Sequence, residues 1–472
     1  MPNNNWLKKF VLLTSLGLTS YYGLTWLGRK VIKTASTSFI HRLMVDAYDE
    51  NLWEFISASR KVGLQNIIET NLRSQEGKMI NRPLGSPKRF PCLDGVMFNF
   101  AQLHKLPTDE GANIDTAVII GPRANKPLKI SMPILISGMA YGLALSAKAK
   151  IALAKGSTMA GIATNTGEGP FLPAERKTAE KLIFQYNRGK WNKSEKILKQ
   201  ADAMEIHVGQ GARGGVGQYI EEKQIDWKIR RAMGLKWGER AIIHATLPGI
   251  KKHNYLNQLT TYLKEVTEGV PVGIKLTAGK YIEKDLEIAL EAGADYITID
   301  GTEAGSKGTA PILQDDFGLP TLFALVRASN YLQKHNLEGK VSLIMAGGFY
   351  NPGQMLKALA LGADAVYIGA IALFAMSHTE VLKAIPWEPP PAVVFYKGAL
   401  QKKFNVNKGA ENLANFLVAC NEEIKEGVRA LGKTSIREVD KNDLFALDPF
   451  TAKIIGIPLG YKEIPYEGQS EN

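Results

Sequence analysis

Two charged residues occupy positions where the surrounding sequence pattern indicates a chemical role for the charge. Lys275 lies within the apolar run Val272–Leu276, and Glu168 lies between Gly167 and Gly169. Because an unpaired buried ammonium group is unfavourable, Lys275 either forms a salt bridge with an acid of a neighbouring strand or faces a ligand that becomes anionic. A carboxylate in a glycine-flanked loop is suited to orient ammonium or to relay a proton, although a surface loop acid has the same pattern.

Glycines cluster directly after the predicted strands, where their backbone N–H groups can approach a ligand closely. Five of the nine residues 209–217 are Gly, which is more than a tight turn needs. Gly347-Gly348 and Gly369-Ala370 each follow one of two consecutive predicted strands, and the helix predicted to begin near Asn351-Pro352 offers free N–H groups to a dianion. The pattern predicts a phosphate-binding site.

These residues require a scaffold of parallel strands that alternate with helices. Eight short apolar runs are bounded by turn residues, with helical stretches between most of them: Ile134–Ser137, Gly161–Thr164, Met204–Val208, Ala241–Ala245, Val272–Leu276, Tyr296–Asp300, Ser342–Ala346 and Ala365–Ile368. The segment Ala289–Ile299 also recurs as Ala358–Ile368, two βα units later. The predicted fold is α/β, a (β/α)8 TIM barrel, with an open doubly wound sheet as the alternative.

The barrel is predicted to occupy only part of the chain. The expected segments are a basic-flanked anchor at 1–45, a pre-barrel α+β segment at 46–130, the barrel at 131–376 and a helical extension at 377–472 packed on the barrel. Within the second segment, Thr116–Ile120 and Leu128–Ser131 flank Gly121-Pro122 and predict a hairpin. In the last segment, helical spacing covers Ala410–Leu431.

The formal charge of +12 is unevenly distributed, because residues 1–45 hold six cations and no acid. Within them, residues 10–27 carry no charge and predict an uncleaved transmembrane helix, with a signal peptide or a buried helix as alternatives. The flanking cations place the catalytic domain of a single-pass membrane protein in the cytoplasm. Nucleic-acid binding is not expected, since the basic residues form no recognised reader motif.

Six motifs resemble, in the same order, the FMN-binding synthase domain of glutamate synthases, over roughly Leu103 to Met376. They are Ser137–Ser146, Asn165–Gly169, Glu205–Ala212, Lys275-Leu276, Asp300–Gly305 and Ala346–Gly348. The resemblance implies a TIM barrel that holds FMN. It also implies hydride transfer to 2-iminoglutarate, formed from 2-oxoglutarate and ammonia, to give glutamate.

The resemblance assigns roles to individual positions. Gly138, Met139 and Ala140 would pack under the flavin ring, and Lys275 would face its N1/O2 edge. Glu168 and Gln210 would contact the substrate or its ammonia, with Lys275 as the third catalytic residue. The expected phosphate ligands are Gly305, Gly347, Gly348 and Gly369, and the expected further substrate contacts are Arg213 and His207.

The chain also departs from this family. No cysteine amidotransferase domain is expected in it. Its two cysteines, Cys92 and Cys420, cannot supply the ligands of an iron–sulfur cluster, and no metal site is predicted. Electrons must therefore come from an external donor, a ferredoxin or a nicotinamide-linked reductase. His207 stands where the family pattern has a lysine, so it either contacts substrate or is a satisfied core histidine. A synthase for another amine or 2-oxo acid, or a non-catalytic flavin-binding subunit of a membrane complex, are the alternative functions.

Overall fold

The computed structural model describes the backbone of residues 5–250, 254–305 and 308–463, and the side chains of these ranges except residues 5–21 and Glu76. The chain divides into two compact units, Met1–Ile80 and Asn81–Asn472. The first unit contains the helices Asn5–Val45, Trp53–Val62 and Leu64–Glu76. The boundaries predicted at residues 45, 130 and 376 stay predictions.

The predicted single-pass membrane localisation, with a cytoplasmic catalytic domain, is wrong. Within the residues that the structure describes, no helix combines the length and the apolar character needed to cross a bilayer. Seven of the eighteen residues 10–27 are Thr, Ser or Gly, which weakens the apolar character of this charge-free run. The side chains of residues 10–21 lie outside the described ones.

Eight parallel strands form a nearly closed barrel in the second unit. In chain order they are β1 (Ile134–Ile136), β2 (Thr164–Asn165), β3 (Leu182–Tyr186), β4 (Ala203–His207), β5 (Val272–Thr277), β6 (Tyr296–Asp300), β7 (Ser342–Ala346) and β8 (Ala365–Ile368). Their order around the sheet is β1-β8-β7-β6-β5-β4-β3-β2, and the Ile136 N–H donates to Ala163 O across the remaining gap. The predicted (β/α)8 barrel is confirmed, and the open sheet is excluded.

The prediction placed one of the eight strands wrongly. The run Ala241–Ala245 lies outside the barrel, where Ala241–Ile243 pairs antiparallel with Gln218–Ile220. The missing barrel strand is β3, which pairs in parallel with β2 and β4. Its apolar run, Leu182–Phe184, has the same length as Ala241–Ile243, so the local pattern alone does not show which of the two lies in the barrel.

The remaining elements of the second unit are short antiparallel strand pairs and helices. The predicted hairpin is confirmed, because Val118–Ile120 pairs antiparallel with Leu128–Ile130, and Val96–Phe98 pairs with Leu444–Ala446. The helices of this unit are Ala147–Met159, Pro173–Thr178, Glu195–Leu198, Trp227–Met233, Tyr255–Val266, Ile282–Glu291, Pro311–Asp315, Thr321–Lys334, Pro352–Ala360, Ala370–Ser377, Pro391–Val394, Val406–Ala430 and Pro449–Ile455. The predicted helix near residues 410–431 is therefore present, and it packs on Ala147–Met159: a Cβ at Gly156 would lie 2.8 Å from Ala410 O.

Candidate active site

A cavity of about 400 Å³ opens at the carboxyl ends of the barrel strands. Ten of the twelve predicted site residues line it: Gly138, Met139, Ala140, Glu168, Gln210, Arg213, Gly305, Gly347, Gly348 and Gly369. The other two, Lys275 and His207, are buried directly behind this lining and contact residues that belong to it. The loops after the strands form this face, as they do in other barrels of this type.

Lys275 forms a salt bridge with an acid of a neighbouring strand, which is one of the two alternatives that the sequence left open. Its Nζ lies 2.9 Å from Oδ1 of Asp300, at the end of the neighbouring strand β6, and 5.3 Å from the centre of the Tyr367 ring. Burial alone would lower the pKa of Lys275, but the carboxylates of Asp300 and Glu205 outweigh it and raise the pKa. Asp300 lines the cavity, so Lys275 reaches the cavity wall as one partner of an ion pair.

The glycine-rich loop 209–217 packs against the turn that follows β6. The Gly211 N–H donates to Oδ2 of Asp300 at 2.9 Å, so one carboxylate joins the loop to Lys275. A Cβ at Gly211 would lie 2.5 Å from Gly301 O and 2.6 Å from Ala304 Cβ. The close approach therefore requires glycine at this position.

Glu168 is not a surface loop acid, because only 6 % of it is exposed. Its Oε1 lies 3.0 Å from Nδ1 of His207 and 3.6 Å from Nε of Arg188. Burial alone would raise the pKa of Glu168, but His207, Arg188 and Arg213 outweigh it and lower the pKa to about 2. Glu168 is therefore a carboxylate throughout the physiological pH range.

His207 joins Glu168 to Gln210, although it is fully buried at the end of β4. Its Nδ1 faces Glu168, and its Nε2 lies 3.3 Å from Oε1 of Gln210. Gln210 in turn lines the cavity. His207 thus has a core position with polar partners, and it reaches the cavity through Glu168 and Gln210.

Arg188 is a residue that the sequence analysis missed. It is fully buried just after β3, and its Nη1 donates to Gly215 O at 2.6 Å and to Ala245 O at 3.2 Å. It therefore links both the glycine-rich loop and the segment that follows Ala241–Ile243 to Glu168. The available signal was the polar sequence Gln185–Arg188, which follows the short apolar run of β3.

Glu205 is a second residue whose importance the sequence did not reveal, although it lies within a quoted motif. It is fully buried inside the barrel and accepts four side-chain hydrogen bonds of 2.8 to 3.1 Å, from Asn165, Gln185, Thr298 and Tyr367. These donors come from β2, β3, β6 and β8. Glu205 therefore fixes the floor of the cavity by joining four strands to its own.

The turn Gly138–Ala140 packs on the loop that carries Glu168. A Cβ at Gly138 would lie 2.9 Å from Asn165 Oδ1, and one at Gly167, whose φ is +67°, would lie 2.7 Å from Ala140 N. Both positions therefore need glycine for the two loops to meet.

The glycines after β7 and β8 form a cradle at the opposite end of the cavity. Gly347 has a φ of +117°, and a Cβ there would lie 2.6 Å from Thr321 Oγ1. Gly369 is the N-cap residue of the helix Ala370–Ser377, and it has no side chain that could accept from the first N–H groups of that helix. Gly369, Ala370 and Ile371 line the cavity.

The helix predicted to offer its N–H groups to a dianion, Pro352–Ala360, is not among the elements that line the cavity. Asn351 caps Pro352–Ala360 by accepting from Gln354 N at 2.9 Å, so one of that helix's N-terminal N–H groups already has a partner. The helix end that reaches the cavity is that of Ala370–Ser377. The cradle of Gly347, Gly348 and Gly369, with these N–H groups, has the properties of an anion site.

The fold and this charged cavity define a (β/α)8-barrel enzyme, and comparisons with known proteins identify the kind. Residues 95–434 match the family model described as the conserved region in glutamate synthase. A glutamate synthase large subunit-like protein of Rhizobium meliloti is 31% identical over 402 residues, which are 80% of this chain and 89% of that protein. An archaeal-type glutamate synthase (NADPH) of Thermotoga maritima is 31% identical over 358 residues, 74% of this chain and 69% of that protein.

Among solved structures, the flavin-binding domain of baker's yeast flavocytochrome b2 has the same fold. It is 18% identical with a TM-score of 0.50, and the match covers 84% of this chain and 88% of that one. The chain belongs to the glutamate synthase family, and it is an oxidoreductase of the glutamate synthase-like type.

Proposed function

We propose that the protein is an FMN-dependent synthase that reduces 2-iminoglutarate, formed from 2-oxoglutarate and ammonia, to glutamate. The observation that carries the proposal is the two-ended cavity. One end is the uncapped glycine cradle at Gly347, Gly348 and Gly369, and the other is the buried group of Glu168, His207 and Lys275.

The residues around the cavity fit FMN. A volume of about 400 Å³ lies within the range of ligand sites. Gly305 and the glycine cradle would hold the phosphate, and the turn Gly138–Ala140 would lie under the ring. The cofactor would supply the hydride. Lys275, with its raised pKa, would stabilise negative charge at the ring.

The side chains of the charged end would bind and orient the substrate. Glu168 remains ionised, so it accepts hydrogen bonds from ammonia or an iminium nitrogen and does not donate a proton. Arg213 lines the cavity, and its Nη1 donates to Gln218 Oε1 at 2.8 Å, which holds the guanidinium in place for a substrate carboxylate. Gln210 would offer its amide to the same substrate.

Electrons would come from an external donor, either a nicotinamide-linked reductase or a ferredoxin. The name of the Thermotoga maritima relative includes NADPH, which supports the nicotinamide-linked source. The electron sources are compared directly by supplying NADPH, reduced ferredoxin or dithionite to the same enzyme preparation.

The test is a turnover with isotope-labelled ammonia. The purified full chain is reconstituted with FMN, reduced, and mixed with 2-oxoglutarate and 15N-ammonium, and labelled glutamate is measured by mass spectrometry. Labelled glutamate that disappears in Glu168→Gln but persists in the surface variant Glu110→Gln supports the proposal. Reoxidation without glutamate, or with other 2-oxo acids only, favours a related synthase. If FMN binds but no substrate reoxidises it, the protein is a non-catalytic flavin subunit.

A further inference from the structure

A lysine side chain supports the start of the loop that carries Glu168. Lys150 lies in the helix Ala147–Met159 and is fully buried. Its Nζ donates to the backbone oxygen of Asn165 at 2.7 Å and to that of Thr166 at 3.4 Å. Asn165 is the last residue of β2, and Glu168 follows it by three positions. Lys150 therefore binds the chain where the strand ends and the loop begins.

The backbone oxygen of Asn165 faces the gap between β1 and β2, the two end strands of the sheet. Across this gap, Ile136 N donates to Ala163 O at 3.2 Å. Backbone groups two residues apart along a strand point to the same side, so the oxygen of Asn165 points toward the gap as well. Its donor is a helical side chain, Lys150, and not a strand amide. Lys150 thus extends the pairing of β2 beyond the contact with Ile136.

Glu175 is the charged partner of Lys150. Its Oε1 lies 2.8 Å from Lys150 Nζ, and its side chain is 2% exposed. Burial raises the pKa of Glu175, and the adjacent Lys150 opposes that rise. The bonds from Lys150 to the two backbone oxygens need only N–H groups, which a lysine side chain carries in either protonation state. Lys150 can therefore hold the loop whatever the charge of Glu175.

The loop passes this position on to the cavity. Gly167 N donates to the side-chain oxygen of Asn165 at 2.9 Å. A Cβ at Gly167 would lie 2.7 Å from Ala140 N, so the loop packs closely against the turn Gly138–Ala140. Glu168 is the next residue and lines the cavity. A shift of Asn165 therefore changes the place of the Glu168 carboxylate.

We propose that Lys150 is a positioning residue for Glu168. By holding the backbone oxygens of Asn165 and Thr166, its Nζ fixes the start of the loop and thereby the carboxylate that faces the ligand. Lys150 is fully buried and acts through the loop, so it is not itself a catalytic residue. The proposal deepens the proposed function, and only the expected change in ammonium binding rests on that function.

Two variants distinguish support of the loop from simple neutralisation of a buried acid. Lys150→Met with Glu175→Leu removes both charges and keeps apolar volume, so the fold should tolerate this double variant better than Lys150→Met alone. Glu175→Gln keeps the lysine and its N–H groups. If Lys150 served only to neutralise Glu175, the double variant would behave as wild type. If Lys150 supports the loop, the loop should change in the double variant and stay unchanged in Glu175→Gln.

Hydrogen exchange measures the loop without any ligand. In the purified full chain, mass spectrometry follows the amides of residues 164–170. We expect their exchange to become about tenfold faster in the double variant, because a hydrogen bond to a charged group is lost, and to stay within about twofold of wild type in Glu175→Gln. The emission of Trp191, whose Nε1 donates to the backbone oxygen of Glu168 at 2.9 Å, should shift to the red in the double variant only.

A second lysine, at the other end of the barrel, provides the matched control. Lys264 Nζ lies 2.8 Å from Oδ1 of Asp295 and donates to Gly293 O at 2.8 Å, directly before β6 begins. Lys264→Met with Asp295→Asn removes the same kinds of contact away from the cavity, and Asn keeps an acceptor for Val272 N. In this control variant, residues 164–170 should exchange at the wild-type rate.

Turnover with labelled ammonium tests the consequence for the site. In the double variant, the KM for ammonium should rise about tenfold or more, while kcat at saturating ammonium should fall less. The control variant should retain the wild-type KM. A wild-type KM in the double variant would contradict the role of Lys150.

The outcomes separate the two proposals, once circular dichroism has established which variants fold. If the loop exchanges as fast in Glu175→Gln as in the double variant, or at the wild-type rate in both, the positioning role is refuted while the synthase function stands. If the double variant does not fold, Glu175→Gln decides: faster loop exchange there refutes the role, and an unchanged loop supports it. If the wild type makes no glutamate, the proposed function is refuted, and hydrogen exchange alone decides on Lys150.

Discussion

Replacing Glu168 by Gln tests the electrostatics of the site most directly. The variant keeps the size and shape of the side chain but removes the charge that lies 3.0 Å from His207 and 3.6 Å from Arg188. A carboxyl whose pKa falls from 4.5 to about 2 on folding stabilises the folded state by about 3 kcal/mol above pH 5. The loss expected on removing one partner of a buried ion pair has the same size, about 3–5 kcal/mol.

The pH dependence follows from the lowered pKa. The stabilisation is fully present above the unfolded pKa of 4.5 and disappears as the pH falls through about 2. The difference in the free energy of unfolding between wild type and Glu168→Gln should therefore be about 3 kcal/mol at pH 5.5 and about 2 kcal/mol at pH 3.5.

Trp191 provides a local assay for this difference. Its Nε1 donates to the backbone oxygen of Glu168 at 2.9 Å, and it alone is buried among the tryptophans whose side chains are described. Urea unfolding, monitored at the blue edge of tryptophan emission, should report the unfolding of the loop that carries Glu168. The exposed variant Glu110→Gln should change stability by less than about 0.5 kcal/mol. A loss below about 1 kcal/mol in Glu168→Gln, or one that does not shrink between pH 5.5 and pH 3.5, would refute the reasoning.

Three further substitutions probe the other features of the barrel. Lys275→Met leaves Asp300 without its 2.9 Å partner, so this variant should bind FMN at least tenfold more weakly in a fluorescence titration. The exposed variant Lys284→Met should bind FMN normally, and equal affinities of the two variants would contradict the role of Lys275. Gly347→Ala places a Cβ 2.6 Å from Thr321 Oγ1 at a φ of +117°. In thermal unfolding, this variant should lose about 2 kcal/mol or more of folded-state stability. Gly339→Ala has strain at a φ of +66° without a clash, so it should lose only about 1 kcal/mol, and the reasoning fails if the two are equal. Burial raises the pKa of Asp364 to about 6, so its contribution to stability is lost as the pH rises through that value. Asp364→Asn should therefore be more stable than wild type by about 2 kcal/mol at pH 8, allowing for partial exposure, and about equal at pH 4. Thermal unfolding at the two pH values checks the sign.

The sequence predicted the barrel and most of the cavity because both depend on local patterns. Apolar runs with helices between them identify buried parallel strands, and glycines after those strands mark the loops that approach one another. Strand β3 was missed because its apolar run, Leu182–Phe184, is no longer than Ala241–Ile243, and only pairing with distant strands decides which of the two enters the barrel. Arg188 was missed with it, since a residue at a strand end has meaning only once the strand is recognised.

Pairings between distant segments were beyond the reach of the sequence. Nothing local to Lys275 indicates that Asp300 is its partner, and nothing local to Glu168 indicates that His207 and Arg188 surround it. Which helix offers free N–H groups at the cradle also depends on a side chain. Asn351 caps the helix Pro352–Ala360, whereas Gly369 gives the helix Ala370–Ser377 no side-chain cap. Each outcome is decided by contacts made in the folded chain.

The two buried glutamates of the barrel illustrate how environment divides the tasks of one residue type. Glu205 accepts hydrogen bonds from four neutral side chains, so its lone pairs are occupied and it holds strands together. Glu168 lines the cavity, and its Oε1 lies 3.6 Å from Nε of Arg188 and 3.0 Å from Nδ1 of His207, so its carboxylate lies in reach of a ligand.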